Sequence, residues 1–167
     1  MSEIVRISKM NKVGLINAIN NFTKNSKKPR IINIDISSVD EHTEAILYFS
    51  NSKWNSIDIF HLNKFYDFPY YFNDESFKYF LPGFIKLNLE NNEFNLFYDF
   101  LLNPLDSGNG IKGLDPHIKS QWSNLGLDGV DLAIEWIFWI INSENSYFEE
   151  DYLFRIAVNL EEIKKSI

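Results

Sequence analysis

Apolar positions recur at helical spacing along almost the whole chain. Val13, Ile16, Ile19 and Phe22 follow one another every three residues, close enough to the helical repeat of about 3.6 to form one stripe on a first helix, which Lys27-Lys28-Pro29 ends. Ile32, Ile34 and Ile36 then alternate with Asn33 and Asp35, the pattern of a short strand or extended connector over 31–36. Ser38 and Glu41 stand at capping-box spacing and predict a helix from about Val39 to Ser50 with Ala45, Ile46 and Phe49 inward. Ser56 is placed to cap a short helix through Ile57, Phe60 and Lys64. Asn73 caps a helix whose first turn carries Asp74 and Glu75, acids suited to its positive end. Pro82 lacks an amide proton and disfavours helical geometry at Leu81, so a new helix is expected to start there, with Phe84, Leu87 and Leu89 facing the core.

The second half continues in the same period. Asn91 to Leu102 reads as helix, and the Pro-, Gly- and Asn-rich stretch 103–115 as the clearest loop. Asp115-Pro116 supplies a cap and a first-turn proline for a helix carrying Ile118 and Trp122. Asp128 opens a helix through Ala133, Ile134, Ile137 and Phe138, apolar nearly all round and hence central. A last helix from about Phe148 to Ser166 turns Tyr152, Leu153, Ile156, Ala157, Leu160 and Ile163 inward. The pattern predicts a mainly α protein, a single domain over 1–167 built as a compact bundle of about six to eight helices. At most one short strand is expected, near 31–36.

Length and composition agree with that reading. A chain of 167 residues, 45% of them hydrophobic, suits one folded domain that buries on the order of 70% of its unfolded surface. Trp54, Phe77, Phe80, Phe84, Trp122, Trp136 and Phe138 are the expected large core residues. The longest apolar run, Leu132 to Ile141, contains Glu135 and falls well short of the ~20 residues of a bilayer crossing. The N-terminus shows no secretory pattern, and there is no cysteine, which rules out disulfides, thiol catalysis and Cys-based zinc sites and suits a cytoplasmic location.

Charge divides the chain. The first 30 residues carry seven Lys or Arg against the single acid Glu3, whereas the remaining 137 carry nine against 22 acids, for a net charge of −7. An acidic body argues against nucleic-acid binding, because phosphate contact needs positive surface. The basic stretch Lys24 to Arg30 is the exception and reads as a solvated linker between helices.

Candidate chemistry is sparse. Gly108, Gly110 and Gly113 spell GxGxxG, but an aromatic helix ending in Asn103-Pro104 precedes them, not the strand that a dinucleotide loop requires. His42, His61 and His117 show no metal-ligand spacing. Asp35, Asp40, Glu41, His42 and Glu44 hold enough donors for a metal, yet the acids at a helix start are explained by capping. Asp99 and Glu135, each inside an apolar run, are the two carboxylates whose burial would suit acid or base catalysis. No serine lies in a nucleophile elbow. No catalytic residue, cofactor or metal ligand is assigned.

The segment Glu44 to Leu89 resembles a bacterial domain family of unknown function, domain of unknown function 6714. The resemblance is carried by Glu44, Phe49, Trp54, Ile57, Leu62, Phe72, Glu75 and the block Phe77-Lys78-Tyr79-Phe80-Leu81-Pro82-Gly83-Phe84, in which Gly83 stands where that family has a different small residue, typically Ala, and Phe80 where it has Tyr. It implies a fold and no reaction. In style, as a small acidic cysteine-free protein rich in Asn and Ile, the chain is also similar to immunity proteins of toxin systems such as contact-dependent growth inhibition. The expected function is therefore a non-enzymatic binding protein that neutralises a cognate toxin, for example a basic nuclease domain, through exposed acids: Asp35, Asp40, Glu41 and Glu44, or Glu149, Glu150 and Asp151. The alternatives are a regulatory or structural interaction module, and an enzyme whose site is assembled from scattered residues.

Overall fold

The computed structural model describes residues 10–30, 39–144 and 147–167, with side chains of 39–41 left out. Eight α-helices occur among the described residues: α1 (Lys12–Thr23), α2 (Val39–Asn51), α3 (Ile59–Lys64), α4 (Asp74–Asn91), α5 (Leu96–Leu102), α6 (Pro116–Ser123), α7 (Gly126–Asn142) and α8 (Glu150–Lys165). Three 3-10 turns, Phe68–Tyr71, Asn103–Leu105 and Gly110–Gly113, complete the regular structure, and there is no strand among the described residues. The expected extended segment at 31–36 lies outside them.

Local signals set most helix starts. Asn11, Asp58, Asn73, Asn95 and Asp115 each accept an amide proton two or three residues on, from Gly14, His61, Ser76, Phe97 and His117. Asp58, not Ser56, opens α3, so that helix begins at Ile59; Leu62 then points inward and Phe60 stands 71% exposed. The α1 stripe also differs from expectation. Leu15, Ile19 and Thr23 are its buried residues and Val13 is exposed, because one helix position is about 100° of rotation and Val13 lies about 200° from Leu15. The helix expected from Asn91 begins only at Leu96, after Asn92 ends α4 in the left-handed conformation at φ 47°. α7 starts at Gly126, with Asp128 in its first turn and no side-chain cap.

Pro82 does not begin a helix. α4 runs unbroken through it from Asp74 to Asn91. The proline removes one ladder bond, to the carbonyl of Lys78, at a cost of roughly 3 kcal/mol. Against that, the same helix fully buries Phe77, Phe80, Leu81, Phe84 and Ile85, each contributing about 1.5–3 kcal/mol, so packing outweighs the local penalty. Gly83 completes the arrangement. A Cβ built on it would lie 1.9 Å from the Trp54 carbonyl oxygen and 2.9 Å from Ile57 Cδ1, so the 53–57 loop rests directly on the backbone of α4. The loop meets α4 through that carbonyl; of the expected core aromatics Trp54 is partly buried and packed against the core, and the other six are buried.

The core is aromatic and centred on α4. Phe49 of α2 stacks on Phe68 at 5.4 Å and meets Phe72 and Phe80 edge-on at 5.1 and 5.2 Å. Phe84 meets Phe97 of α5, and Phe77 meets Trp122 of α6. α7 packs between α1 and α8, and α4 touches α1, α6 and α7. Buried polar groups join these elements. Asn88 of α4, fully buried, accepts from Trp136 Nε1 of α7 at 2.9 Å and donates to the Glu93 carbonyl. The Tyr98 hydroxyl donates to the Phe84 carbonyl at 2.7 Å. Gln121 donates to the Pro69 and Phe72 carbonyls, and Asn159 of α8 to the Leu105 carbonyl, tying irregular segments to helices.

Two stability outcomes follow. Gly83→Ala is expected to cost about 1–3 kcal/mol through overpacking against the Trp54 carbonyl, read from denaturant unfolding, and an unchanged midpoint would contradict the close approach. Asn88→Ala is expected to cost about 1–3 kcal/mol because it leaves Trp136 Nε1 buried without an acceptor; the paired change Asn88→Ala with Trp136→Phe should cost less than the sum of the two singles.

Candidate partner-binding surface

Two expected acidic clusters meet different fates in the fold. Of the first, Asp35 lies outside the described residues, as do the side chains of Asp40 and Glu41. Glu44 is exposed on α2, but Lys64 of α3 donates to its carboxylate, and this hydrogen bond and charge hold the Glu44 carboxyl below its usual range. Beside it, Asp58 accepts from the His61 ring at 2.7 Å, and Tyr48 stacks on that ring at 4.1 Å. Burial disfavours the charged form of Asp58, yet hydrogen bonds from the His61 amide and ring and from the Tyr48 hydroxyl prevail and leave its pKa lowered. Lys53 and Lys28 are near enough to each other for charge repulsion to lower Lys28 further, after burial. The described part of this region is thus of mixed sign.

The second cluster joins acids that are distant in sequence. Glu149 is the residue before α8, and Glu150 and Asp151 lie in its first turn, all exposed and well placed against the helix dipole. One turn on, Arg155 donates to Asp106 at 2.7 and 3.2 Å; this hydrogen bond foremost, and the charges of Asp106, Asp151 and Glu149, hold its guanidinium above the ordinary value. Tyr147 donates to Asp99 of α5 at 2.5 Å, and Tyr152 to Asn103 at 2.6 Å. The bond to Asp99, with burial and its charge, pushes the Tyr147 hydroxyl up to about 12. Burial, then the charges of Asp106 and Asp99, raises that of Tyr152. Three carboxylates, Asp106, Glu149 and Asp151, therefore act on the Arg155 guanidinium, and Asp99 joins the same side through Tyr147 and Tyr152.

Rings are exposed among these charges. One side of α5 carries Leu96, Asp99 and Phe100, with Asn103 just past its end; Leu96 is 48% exposed and Phe100, edge-on to Tyr66, 45%, and Tyr147 is 46% exposed beside Phe94 and Phe148. Asp99, singled out in sequence as a possible catalytic acid, is instead a hydrogen-bond acceptor on this face. Glu135 is half-buried on α7. The sequence reading missed Asp106, Leu96, Phe100 and Tyr147 as members of one face, although the spacing 96, 99, 100 and 103 is that of one helix side.

Other chemistry is not gathered. Among the described residues no three His, Asp or Glu form a metal-binding group. The His42 ring lies 4.4 Å from that of Tyr71, and His117 Nε2 donates to the Tyr70 carbonyl. The glycine loop is no phosphate cradle: the Ile111 amide donates to Glu162 of α8, so a carboxylate already occupies a donor that a phosphate would need. Pinned also by Asn159, the loop is more fixed than its composition suggests. No helix among the described residues is long and apolar enough to cross a membrane. No family model, curated protein or solved structure matches the chain.

The Asp99–Tyr147 bond has a spectroscopic consequence. Asp99→Asn should return the Tyr147 phenol toward its ordinary value near ~10, seen in the alkaline phenolate absorbance after subtraction of a Tyr147→Phe variant. A titration curve unchanged by Asp99→Asn would show that the two groups are not bonded in solution.

Proposed function

We propose that this protein is a non-enzymatic binding protein that neutralises a basic protein toxin by covering it with the α5–α8 face. The observation that carries the reading is the combination of exposed Leu96, Phe100 and Tyr147 with the carboxylates of Asp99, Asp106, Glu149 and Asp151, the last three acting on the one guanidinium of Arg155. Carboxylates alone would serve solubility, and apolar rings alone would invite nonspecific association. Together they match an interface in which aromatic anchors are desolvated at the centre and charge on the rim selects and steers the partner. A basic cleft, such as that of a nuclease, is the complementary surface. The likeness in style to immunity proteins points the same way and names no reaction.

Binding needs no moving part in this reading. Tyr147 and Tyr152 are held by Asp99 and Asn103, and Arg155 by Asp106, so the side chains are ordered before a partner arrives and less entropy is lost on association. The steering field acts over roughly 8–10 Å at physiological salt.

The test is to search the adjacent genes for a toxin domain and to measure stopped-flow association with it at low and physiological salt; absence of such a gene would count against the reading. Reversing Glu149, Glu150 and Asp151 to Lys should slow association by about tenfold or more at low salt and flatten its salt dependence, with the melting temperature as control. Glu44→Lys should leave the rate nearly unchanged, since Lys64 already offsets that charge. Tyr147→Ala should act on dissociation instead. Equal association rates for the triple variant and the unaltered protein would remove this face from the mechanism, and failure of the unaltered protein to bind would remove the toxin-neutralising reading.

A further inference from the structure

The basic stretch 24–30 does not simply face solvent. It forms one wall of a cleft of about 990 Å³ whose other walls are the first turn of α4 and the start of α7. Lys27, Lys28, Arg30 and Lys78 line it, opposed by Glu75 and Asp128, so the lining is net cationic in a chain of net charge −7. Lys78 reaches the cleft from about fifty residues along the chain; the fold, not the sequence run, assembles the set. Lys28 is fixed by donation to the Ser50 carbonyl at the end of α2. Lys27, Arg30 and Lys78 take part in no ion pair among the described residues, although 23 acids are available in the chain. Burial, and after it the neighbouring Lys53, depress the basicity of Lys28. The uncapped start of α7 at Gly126 opens into the same cleft, so its positive dipole end adds to the four side chains.

A single small anion does not account for four cations spread over such a volume. The size lies at the upper end of the roughly 300–1,000 Å³ typical of small-molecule sites, and separated ammonium and guanidinium groups suit several anionic oxygens held on one ligand. We propose that this cleft binds a small polyphosphate, through a di- or triphosphate group that is either inorganic or carried by a nucleoside. Lys27, Arg30 and Lys78 contact the phosphates, and Lys28 contributes charge from the wall. Glu75 and Asp128 weaken binding and limit it to ligands of high charge. The site is independent of the toxin-binding face and uses none of its residues.

The test is calorimetric titration of the whole protein with inorganic pyrophosphate and, separately, with ATP free of divalent metal, at low and physiological salt. Saturable one-to-one binding is expected, weakened at least about tenfold by Lys27→Gln combined with Lys78→Gln and changed less than about twofold by Lys112→Gln on the glycine loop. Affinity should fall with salt and rise in Asp128→Asn. Equal affinity for the two probes assigns the phosphates alone, and tighter ATP assigns the nucleoside a share; both support the site. Should the double variant fail to fold, Arg30→Gln alone reads the same contact. Absence of saturable binding at millimolar probe in low salt, or an equal loss from Lys112→Gln, would overturn the proposal. Tighter binding of a single-stranded oligonucleotide than of ATP, lost in the double variant, would overturn it in favour of a nucleic-acid surface. The triple reversal at 149–151 should leave polyphosphate binding intact, which separates failure of this site from failure of the toxin-binding face.

Discussion

The approach of the Trp54 carbonyl to Gly83 is the contact on which the arrangement of this protein turns. With a Cβ at 83 the two backbones could not meet, and the 53–57 loop would have to leave α4. That loop joins α2 to α3, so its seat decides where Phe49 enters the core and where the Phe68–Tyr71 turn can lie. The same stretch of α4 carries Pro82, whose lost hydrogen bond is tolerated because both sides of the helix around it are buried. An Ala methyl at this position would fall 1.9 Å from an oxygen, so the loop sits closer than Ala allows.

Buried amides carry order from the core to the surface. Asn159 donates to the Leu105 carbonyl and thereby holds the segment that presents Asp106 to Arg155. Asn88 locks α4 to Trp136, and Tyr98 locks α5 to α4, which fixes the opposite side of α5 where Asp99 and Phe100 stand. These bonds are worth little more than about 1 kcal/mol each while satisfied and cost more when half broken. Their larger effect is geometric, because each fixes one element against another, across 14 residues for Tyr98 and roughly fifty for Asn88 and Asn159.

Net charge conceals two local surfaces of opposite sign. The α5–α8 face concentrates carboxylates around rings, whereas the cleft at 24–30 and Lys78 gathers cations with no ion-pair partners among the described residues. With screening over roughly 8–10 Å, an approaching molecule responds to the nearer patch more than to the total of −7. An acidic, ring-bearing face and a cationic cleft are compatible on one small protein for that reason.

Sequence by itself determined what depends on neighbours within about four residues. The mainly helical class, the caps Asn73 and Asp115, the first-turn acids of α4, and the buried aromatics of α4 and α7 were all legible, because capping and a period of about 3.6 are local. The tertiary structure alone decided what depends on distant partners. Whether Pro82 breaks a helix was settled by how much apolar surface surrounds it, and whether Val13 or Leu15 faces inward by where α4 and α7 lie. The sequence marked Glu149, Glu150 and Asp151 as a cluster, but only folding set Asp99 and Asp106 around them and left Glu44 already partnered by Lys64. Charges written far apart act together only once loops are closed, and no periodicity along the chain encodes which loops close.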